Sequence, residues 1–221
     1  MEFRRARRPE QVAARRAAIL DTAEAMLGEA PVTEVSLREL SCRVGLAKSN
    51  VLRYFDSREA VFLGVLDRRW GAWLDDVETA IRAARVEPVP YGRAIAVATA
   101  VADSVGRHPL LCDLVASMAG VLERNIGLDT AREVKARATD HTARLADLVR
   151  AELPQLDEPA ATRFARSVLV VTAGLWPHAH PTDDVARAAT ELGLPPAAEL
   201  FATDLREALV NQLIGLVVRS S

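Results

Sequence analysis

Hydrogen-bonding side chains are concentrated in one short stretch of the sequence. Five of them fall within seven residues, at Lys48, Ser49, Asn50, Arg53 and Tyr54. Lysine and tyrosine suit phosphate oxygens, asparagine can form two hydrogen bonds with an adenine base, and arginine can do either. No acidic residue interrupts residues 44–55, whereas the solvated face of a helix usually carries both signs of charge. These residue types at this spacing indicate contacts with DNA.

Two short apolar-periodic segments separated by a glycine would position this cluster. The first opens at Ser36, with Glu39 at the spacing of a capping box, and it ends near Gly45. The second runs from about residue 48 to residue 54. Its inner face would be apolar and would comprise Leu46, Val51, Leu52 and Phe55. Such a pair is the helix-turn-helix arrangement, whose second helix enters a DNA major groove about 12 Å wide.

Arginines surround the helix pair. Arg38 lies on the helix before the glycine and Arg58 opens the helix that follows, where positive charge would meet the DNA backbone. Six arginines against two glutamates occupy the first sixteen residues, so a basic arm at residues 1–9 could follow phosphates or reach into a minor groove. The alternatives are a solubilising terminus for the arm and an ordinary surface helix pair for the motif. We favour the DNA-binding interpretation of both.

The rest of the composition is that of an ordinary globular protein. Half of the 221 residues are apolar and 26% are charged, and the formal net charge of -2 says nothing about nucleic acid. The two cysteines, Cys42 and Cys112, have neither metal-ligand nor disulfide spacing. No apolar run approaches the roughly 20 residues of a membrane span. We therefore expect a soluble, cytoplasmic protein without a membrane segment or a cofactor.

Helical patterns run through the whole sequence. Alanine, leucine, arginine and glutamate favour helix, and apolar residues recur every three or four positions, which predicts an all-α fold of about nine helices. The predicted helices span about 10–28, 36–45, 48–54, 56–84, 92–106, 108–124, 130–152, 158–176 and 197–218. The fourth is expected to open with a capping box formed by Asp56 and Glu59. Residues 177–196 form a broken stretch with room for one short helix.

The clearest boundary in the chain is RVEPVPYG, residues 85–92. Two prolines and a glycine do not fit the interior of a helix. This boundary and the helix pair divide the chain into four parts: a basic arm (1–9), a three-helix domain containing the helix-turn-helix (10–60), a connecting helix (61–84) and a larger C-terminal helical domain (85–221).

Two C-terminal helices, at about 158–176 and 197–218, are apolar around most of their circumference. Each must be covered on every side, either by the core of one chain or by a second copy. Several aromatic and sulfur-bearing residues could line a ligand cavity or could simply fill the core. These residues are Trp70, Trp73, Met118, Phe164 and Trp176.

A pair of histidines invites a metal interpretation. His178 and His180 lie one residue apart, with Asp183 and Asp184 following, and could coordinate zinc. The pattern lacks a third ligand on a rigid element, so we predict no metal site. We also predict no enzyme, because the sequence shows no nucleophile–base pairing, phosphate loop or cofactor fingerprint. The alternatives to DNA binding are an all-helical metal-dependent enzyme and a helical protein-interaction module.

One segment matches a known family. The stretch ILDTAEAMLGE…VSLRELSCRVGLAKSNVLRYFDSREAVFLGVL, within about residues 10–66, resembles the N-terminal DNA-binding domain of TetR-type (tetracycline-repressor-like) regulators. The resemblance lies in the order and spacing of an Ile-Leu-x-x-Ala first helix, SLREL, GLAKSNVLRYF and SREAVF. The segments HPLLCDLVASMAGVLERN and GLWP are similar to a subgroup of the C-terminal domains of this family.

The resemblance implies a homodimeric transcription regulator, usually a repressor, that binds a palindromic operator in double-stranded DNA. It also implies that the C-terminal domain binds a small-molecule effector and forms the dimer, here through the helices near 158–176 and 197–218. The recognition helix would be residues 48–54. Family members commonly have a phosphate-contacting tyrosine where this chain has Leu52, so that contact would pass to Arg53 and Tyr54.

Overall fold

The structure, a computed structural model, describes residues 9–220 and confirms an all-α fold. Within these residues the chain forms ten α-helices, one 3₁₀ turn and no strand. The helices are α1 (Pro9–Leu27), α2 (Leu37–Val44), α3 (Lys48–Val51), α4 (Arg58–Ala83), α5 (Gly92–Gly106), α6 (Pro109–Met118), α7 (Leu128–Glu152), α8 (Glu158–Ala179), α9 (Asp183–Glu191) and α10 (Ala197–Ser220), with the 3₁₀ turn at Leu122–Asn125. Except for Pro9, the predicted basic arm lies outside the described residues.

The first three helices and the turn after them form a small unit, residues 9–57, which we call the reading head. α1 packs against α2 and α4, and α2 packs against α3. Ile19, Leu40 and Val51 are fully buried where these helices meet. Burial of an aliphatic side chain of this kind stabilises a protein by about 1.5–3 kcal/mol. This packing holds α3, which has four residues and is too short to form a stable helix alone.

α4 connects the reading head to the C-terminal helices. Its 26 residues span about 39 Å, and it contacts α1 at one end and α5, α6 and α7 along its length. Arg68 pairs with Asp21 at 2.6 Å and Arg69 pairs with Glu24, both on α1. Pairs on the surface contribute little energy, and these two join α1 to the first half of α4.

The C-terminal helices enclose a second part of the core. α10 lies against α5 and α8, and α8 also lies against α6 and α7. Trp73, Phe164 and Leu205, from three different helices, are fully buried there. The indole N–H of Trp73 donates to Ser104 Oγ at 2.9 Å, so the largest buried side chain keeps its polar atom satisfied. No helix in this described part combines the length and the apolarity that crossing a membrane requires.

The predicted start of the fourth helix is wrong by one residue. Ser57 is the capping residue, and its hydroxyl accepts from the N–H of Ala60 at 3.0 Å. Asp56 does not cap this helix, because its carboxylate bonds to residues near the start of α7.

The recognition segment is also less helical than predicted. α3 ends at Val51, and residues 52–55 continue as a turn in which the N–H of Tyr54 donates to Val51 O at 2.9 Å. Leu52 was predicted for the inner apolar face, but it is 39% exposed. Because α3 ends at Val51, residue 52 belongs to a turn, and the helical period no longer predicts which side of the segment it faces.

Two C-terminal helix ends differ from the predicted ones by three residues or more. The predicted helix at 108–124 divides into α6, which ends at Met118, and the separate 3₁₀ turn. The predicted helix at 158–176 continues through Pro177 to Ala179. Pro177 cannot donate a backbone hydrogen bond, but Ala179 is buried and the His180 ring packs 3.9 Å from that of Trp176. These contacts stabilise the last turn of α8, although a proline at this position favours ending the helix.

Candidate nucleic-acid interface

The turn between α2 and α3 is fixed by the residues at the two ends of α2. The Ser36 hydroxyl accepts from the N–H of Glu39 at 3.1 Å, which caps the start of α2 as predicted. Gly45 has a φ of 70°, in the left-handed region that favours glycine, and its N–H donates to Cys42 O at 3.0 Å. The chain therefore leaves α2 in a defined direction and begins α3 three residues later.

The predicted polar cluster lies on the accessible side of α3 and of the turn after it. Its members are Lys48, Ser49, Asn50, Arg53 and Tyr54. Asn50 and Tyr54 are half-buried and the other three are exposed. On the opposite side Val51 is fully buried and Phe55 is 6% exposed. Because these two apolar side chains are packed, the polar ones are held at the surface in a fixed order.

A concave surface between α1 and α3 extends the cluster. Asn50 and Tyr54 line it from one side, and Gln11 and Arg15 line it from α1. From the sequence, Arg15 was only one of six arginines in a basic region, and Gln11 had no assigned role. A pattern of apolar residues can indicate which face of a helix is buried. It does not indicate which turn of the exposed face of α1 lies beside the recognition segment.

Arg16 holds the end of the recognition segment and was missed by sequence analysis. Its guanidinium donates to the backbone oxygen of Tyr54 and lies 4.2 Å from the centre of the Phe55 ring. A cation over an aromatic face contributes about 0.5–1 kcal/mol at an accessible site. Both contacts join residues 38 and 39 positions apart in the chain, so no local pattern could have revealed them.

The two flanking arginines have different environments. Arg38 is exposed on α2 and lies on the surface of the reading head. Arg58 is half-buried, and its guanidinium donates to Val35 O at 3.1 Å and to the Glu59 carboxylate at 3.0 Å. Arg58 therefore holds the loop that precedes α2, and it acts on the surface by positioning that helix.

The five residues that could line a ligand cavity or fill the core lie in different places. Trp70 and Met118 line a cavity of about 270 Å³ between the reading head, α4 and α7, which we call the junction cavity. Trp73 and Phe164 are fully buried in the core. Trp176 lies near the end of α8, where its N–H donates to Asp113 at 2.6 Å.

A polar group forms part of the wall of the junction cavity. Asp67 lies 2.9 Å from His141 Nε2 and 3.3 Å from the guanidinium of Arg137. The hydrogen bond to His141, with the charge of Arg137, holds the pKa of Asp67 below its ordinary value of 3.8, against the opposing effect of burial. The His141 ring also stacks on Trp70, with 5.2 Å between the ring centres. α4 and α7 are thus joined by an ionised carboxylate and an aromatic stack.

Asp56 links the reading head directly to α7. Its carboxylate accepts from the N–H of Gly127 at 3.1 Å and from the hydroxyl of Thr130 at 2.8 Å. A negative charge at the start of a helix is favourable because it meets the positive end of the helix dipole. The residues that lead directly into α4 are therefore also attached to the start of α7.

The histidine pair lies near the end of α8. The His180 ring packs against the Trp176 ring, and its Nδ1 lies 3.1 Å from Trp176 O. Residues 9–220 contain no group of three or more histidine, cysteine or acidic side chains arranged to hold a metal ion.

Comparisons with protein-family models give two matches that together cover most of the chain. Residues 19–65 match the model described as bacterial regulatory proteins, tetR family. Residues 67–220 match the model described as tetracyclin repressor-like, C-terminal domain. A search of curated protein sequences finds no match to this chain.

Solved structures share the fold at low sequence identity. The transcriptional regulator FadR from Bacillus subtilis, in complex with stearoyl-CoA, is 13% identical over 89% of this chain and 98% of its own, with a TM-score of 0.54. A TetR transcriptional regulator from Rhodococcus sp. RHA1 is 16% identical over 92% and 97%, with a TM-score of 0.53. The fatty acid degradation regulator FadR from Bacillus halodurans is 12% identical over 88% and 97%, with a TM-score of 0.51.

Proposed function

The chain belongs to the tetR family of bacterial regulatory proteins, and from that premise we propose that it is a homodimeric repressor that binds a palindromic operator and is released by a small-molecule ligand. As a member of this family, the protein is a DNA-binding transcription regulator with an N-terminal helix-turn-helix. The observation that supports operator binding is the polar cluster of α3, which is held at the surface by buried Val51 and Phe55.

We assign different roles to the residues of this surface. Lys48, Arg53 and Arg38 are exposed cations, which suit phosphate oxygens and would fix the orientation of the reading head on DNA. Ser49 and Asn50 open α3, the part of a recognition helix that meets base edges. Tyr54 borders the groove toward α1 and suits a phosphate at its edge, while Arg58 and Arg16 position the segment from behind.

The dimer is proposed to form through α8 and α10. These helices pack against each other, and they leave Val170, Leu200 and Val218 exposed at 70%, 43% and 50%. α9 lies between them in the chain and buries none of its own residues. A second copy that covers these apolar side chains would bring two reading heads together. Two recognition helices can then meet successive major grooves, about 34–36 Å apart.

Release by a small molecule requires that the ligand bind two arrangements of the protein with different affinity. The Bacillus subtilis regulator FadR was crystallised with stearoyl-CoA, which shows that one protein of this fold takes a small molecule. For this chain, the junction cavity and the links from the reading head to α4 and α7 support a ligand-dependent change in the position of the reading heads.

Selection of bound DNA from a random duplex pool tests the proposed operator binding. We expect enrichment of an inverted repeat whose half-sites are about one helical turn apart. A Lys48→Ala, Arg53→Ala double variant should lose this enrichment. An Arg132→Ala, Arg187→Ala double variant, which removes the same charge from exposed residues outside the reading head, should retain it. A pool without any enriched palindrome would contradict the proposal.

A further inference from the structure

The junction cavity has the size of a small ligand site. An engineered apolar cavity of about 150 Å³ holds benzene, so a volume of about 270 Å³ has room for a molecule of one or two rings. Pockets for drug-sized ligands usually begin near 300 Å³, and the junction cavity is therefore suited to a compact molecule.

The lining of the cavity indicates an uncharged ligand. Its apolar wall comes from Leu20, Phe55, Leu63, Trp70, Met118 and Val134. Its charged groups are three arginines and three carboxylates, so they balance and offer no net attraction to an anion or a cation. Asp67 is already bonded to His141 and Arg137.

Trp70, one of the residues that line the cavity, carries an unsatisfied hydrogen-bond donor. The indole N–H of Trp70 is buried and has no hydrogen-bond partner among the described residues. An indole nitrogen can only donate, and leaving such a group unpaired in the interior costs about 1–3 kcal/mol. A ligand that brings an acceptor oxygen to this nitrogen would recover that cost.

We infer that the junction cavity binds a compact, uncharged ring compound with one hydrogen-bond acceptor, such as a cyclic or aromatic ketone, with its oxygen on the Trp70 N–H. This inference rests on the proposed release by a ligand, and it places the ligand between the reading head and α7. The Trp70 nitrogen is covered by its neighbours, so an acceptor reaches it only where the walls of the cavity part.

The same walls carry the contacts that hold the reading head. Tyr54, Phe55 and Asp56 line the cavity from the recognition segment, and Thr130, which donates to Asp56, lines it from α7. A ligand that parts these walls lengthens the Asp56 link and shifts the end of the recognition segment. The ligand then favours an arrangement that differs from the one described here, which is the unequal binding that regulation requires.

Titration of the full-length protein with 1-indanone tests this site, and indane serves as a comparison compound of the same shape without an acceptor. The protein has three tryptophans, Trp70, Trp73 and Trp176, so ¹⁵N-labelled tryptophan gives three indole N–H signals in an NMR spectrum. We expect saturable movement of the Trp70 signal with 1-indanone, while the other two stay in place. An unmoved Trp70 signal, or movement of the Trp176 signal alone, would overturn the inference.

Variants of α7 and α4 refine the test. Ala138→Phe fills the cavity and should abolish binding of both compounds, whereas Ala136→Phe, on the exposed side of the same helix, should leave binding unchanged. Trp70→Phe should weaken 1-indanone binding about 3- to 10-fold in calorimetry and leave indane unaffected, because it removes one hydrogen bond. Equal loss for both compounds would overturn the assigned role of the N–H. The wild-type titration decides the location of the site even if Ala138→Phe unfolds the chain.

A final measurement separates this inference from the proposed function. The affinity for 1-indanone should be lower when the selected operator duplex is bound, because coupling between two sites is reciprocal. Equal affinities would overturn the regulatory role of the cavity. A selected palindrome with no movement of Trp70 would overturn the cavity and leave operator binding standing. Saturable binding at Trp70 without any selected duplex would instead contradict the proposed operator binding.

Discussion

Lys48 and Asn50 lie two residues apart at the start of α3, yet the structure gives them different environments. Lys48 is exposed, whereas Asn50 is half-buried and borders the groove toward α1. Lys48→Ala should therefore weaken binding to all duplexes about equally and reduce the salt slope by about one, as expected for one phosphate contact. Asn50→Ala should cost about 1–3 kcal/mol on the best sequence and relax preference at one base position.

Fluorescence titrations at several salt concentrations, with the selected operator and with single-base variants of it, measure both effects. The Arg132→Ala variant is a suitable comparison because it removes a charge from an exposed residue outside the reading head. If the lysine and asparagine variants lose affinity identically on every sequence and at every salt concentration, the division between backbone and base contacts is wrong.

Asp67 predicts a pH dependence of stability. Its folded-state pKa lies below the ordinary value of 3.8 because of the hydrogen bond to His141 and the charge of Arg137. A depressed pKa means that the ionised group stabilises the folded protein fully above the unfolded pKa, and that this contribution is lost as pH falls through the folded pKa. The unfolding free energies of wild type and Asp67→Asn should therefore differ at about pH 5 and converge as the pH falls below about 4.

Urea unfolding across this pH range measures the Asp67 contribution. Asp140→Asn removes a carboxylate from the exposed side of α7 and controls for the change in net charge. A wild-type advantage over Asp67→Asn that persists undiminished to about pH 3 would show that the carboxylate is not stabilised as described.

At the scale of single elements, α2 depends on a glycine that a local pattern predicts. Gly45 has a φ of 70° and no neighbouring atom within 4 Å of the position of an added Cβ, so substitution there is penalised by backbone strain alone. Gly45→Ala should lower the free energy of unfolding by about 1–2 kcal/mol. Gly106→Ala, at the end of α5 where an added Cβ also meets nothing, should instead raise it by about 0.4–1 kcal/mol. Chemical denaturation of both variants would show opposite shifts, and shifts of the same sign would refute the argument from φ.

The contact between Asp56 and α7 is the element-scale feature that joins the two parts of the protein. Asp56→Ala removes the acceptor for Gly127 N–H and the Thr130 hydroxyl, and it should destabilise the protein by about 1 kcal/mol, as the loss of a helix cap does. Hydrogen exchange of the amides in the first turn of α7 should accelerate. Asp129→Ala, which removes a carboxylate that is 97% exposed in the same turn, should change stability by less than about 0.5 kcal/mol. Equal effects of the two substitutions would show that the link to the reading head contributes nothing.

For the whole molecule, the proposed dimer depends on the apolar surface of α8 and α10. Val170→Glu places a carboxylate at a residue that is 70% exposed on the monomer, and symmetry places two such charges in the interface. A buried, unpaired charge costs several kcal/mol, so the dimer dissociation constant should rise about 100-fold or more. Operator affinity should fall with it, because one reading head contacts only one half-site.

Sedimentation equilibrium together with operator titration tests this effect. Leu128→Glu introduces the same charge at a residue of similar exposure, 66%, at the start of α7, and it should leave the dimer intact. A Val170→Glu protein that remains dimeric and binds the operator normally would exclude this face as the interface.

Residues close together in the chain determined much of this protein without reference to its tertiary structure. The Ser36 cap and the Gly45 turn each depend on hydrogen bonds within four residues. The order and spacing of motifs within about residues 10–66 indicated the family. The inner apolar face predicted for the recognition segment likewise placed Val51 in the core. Such features follow from local backbone geometry, which the sequence specifies directly.

Only the tertiary structure decided which contacts the remaining polar and aromatic groups make. Asp56 was expected to cap the next helix, but it bonds 71 and 74 residues away, and Arg16 reaches Tyr54 across 38 residues. Of the five residues expected around one ligand, two line the junction cavity and the other three take part in packing elsewhere. The contacts of such a side chain depend on which distant helix packs against it. The packing of the whole chain determines which helix that is.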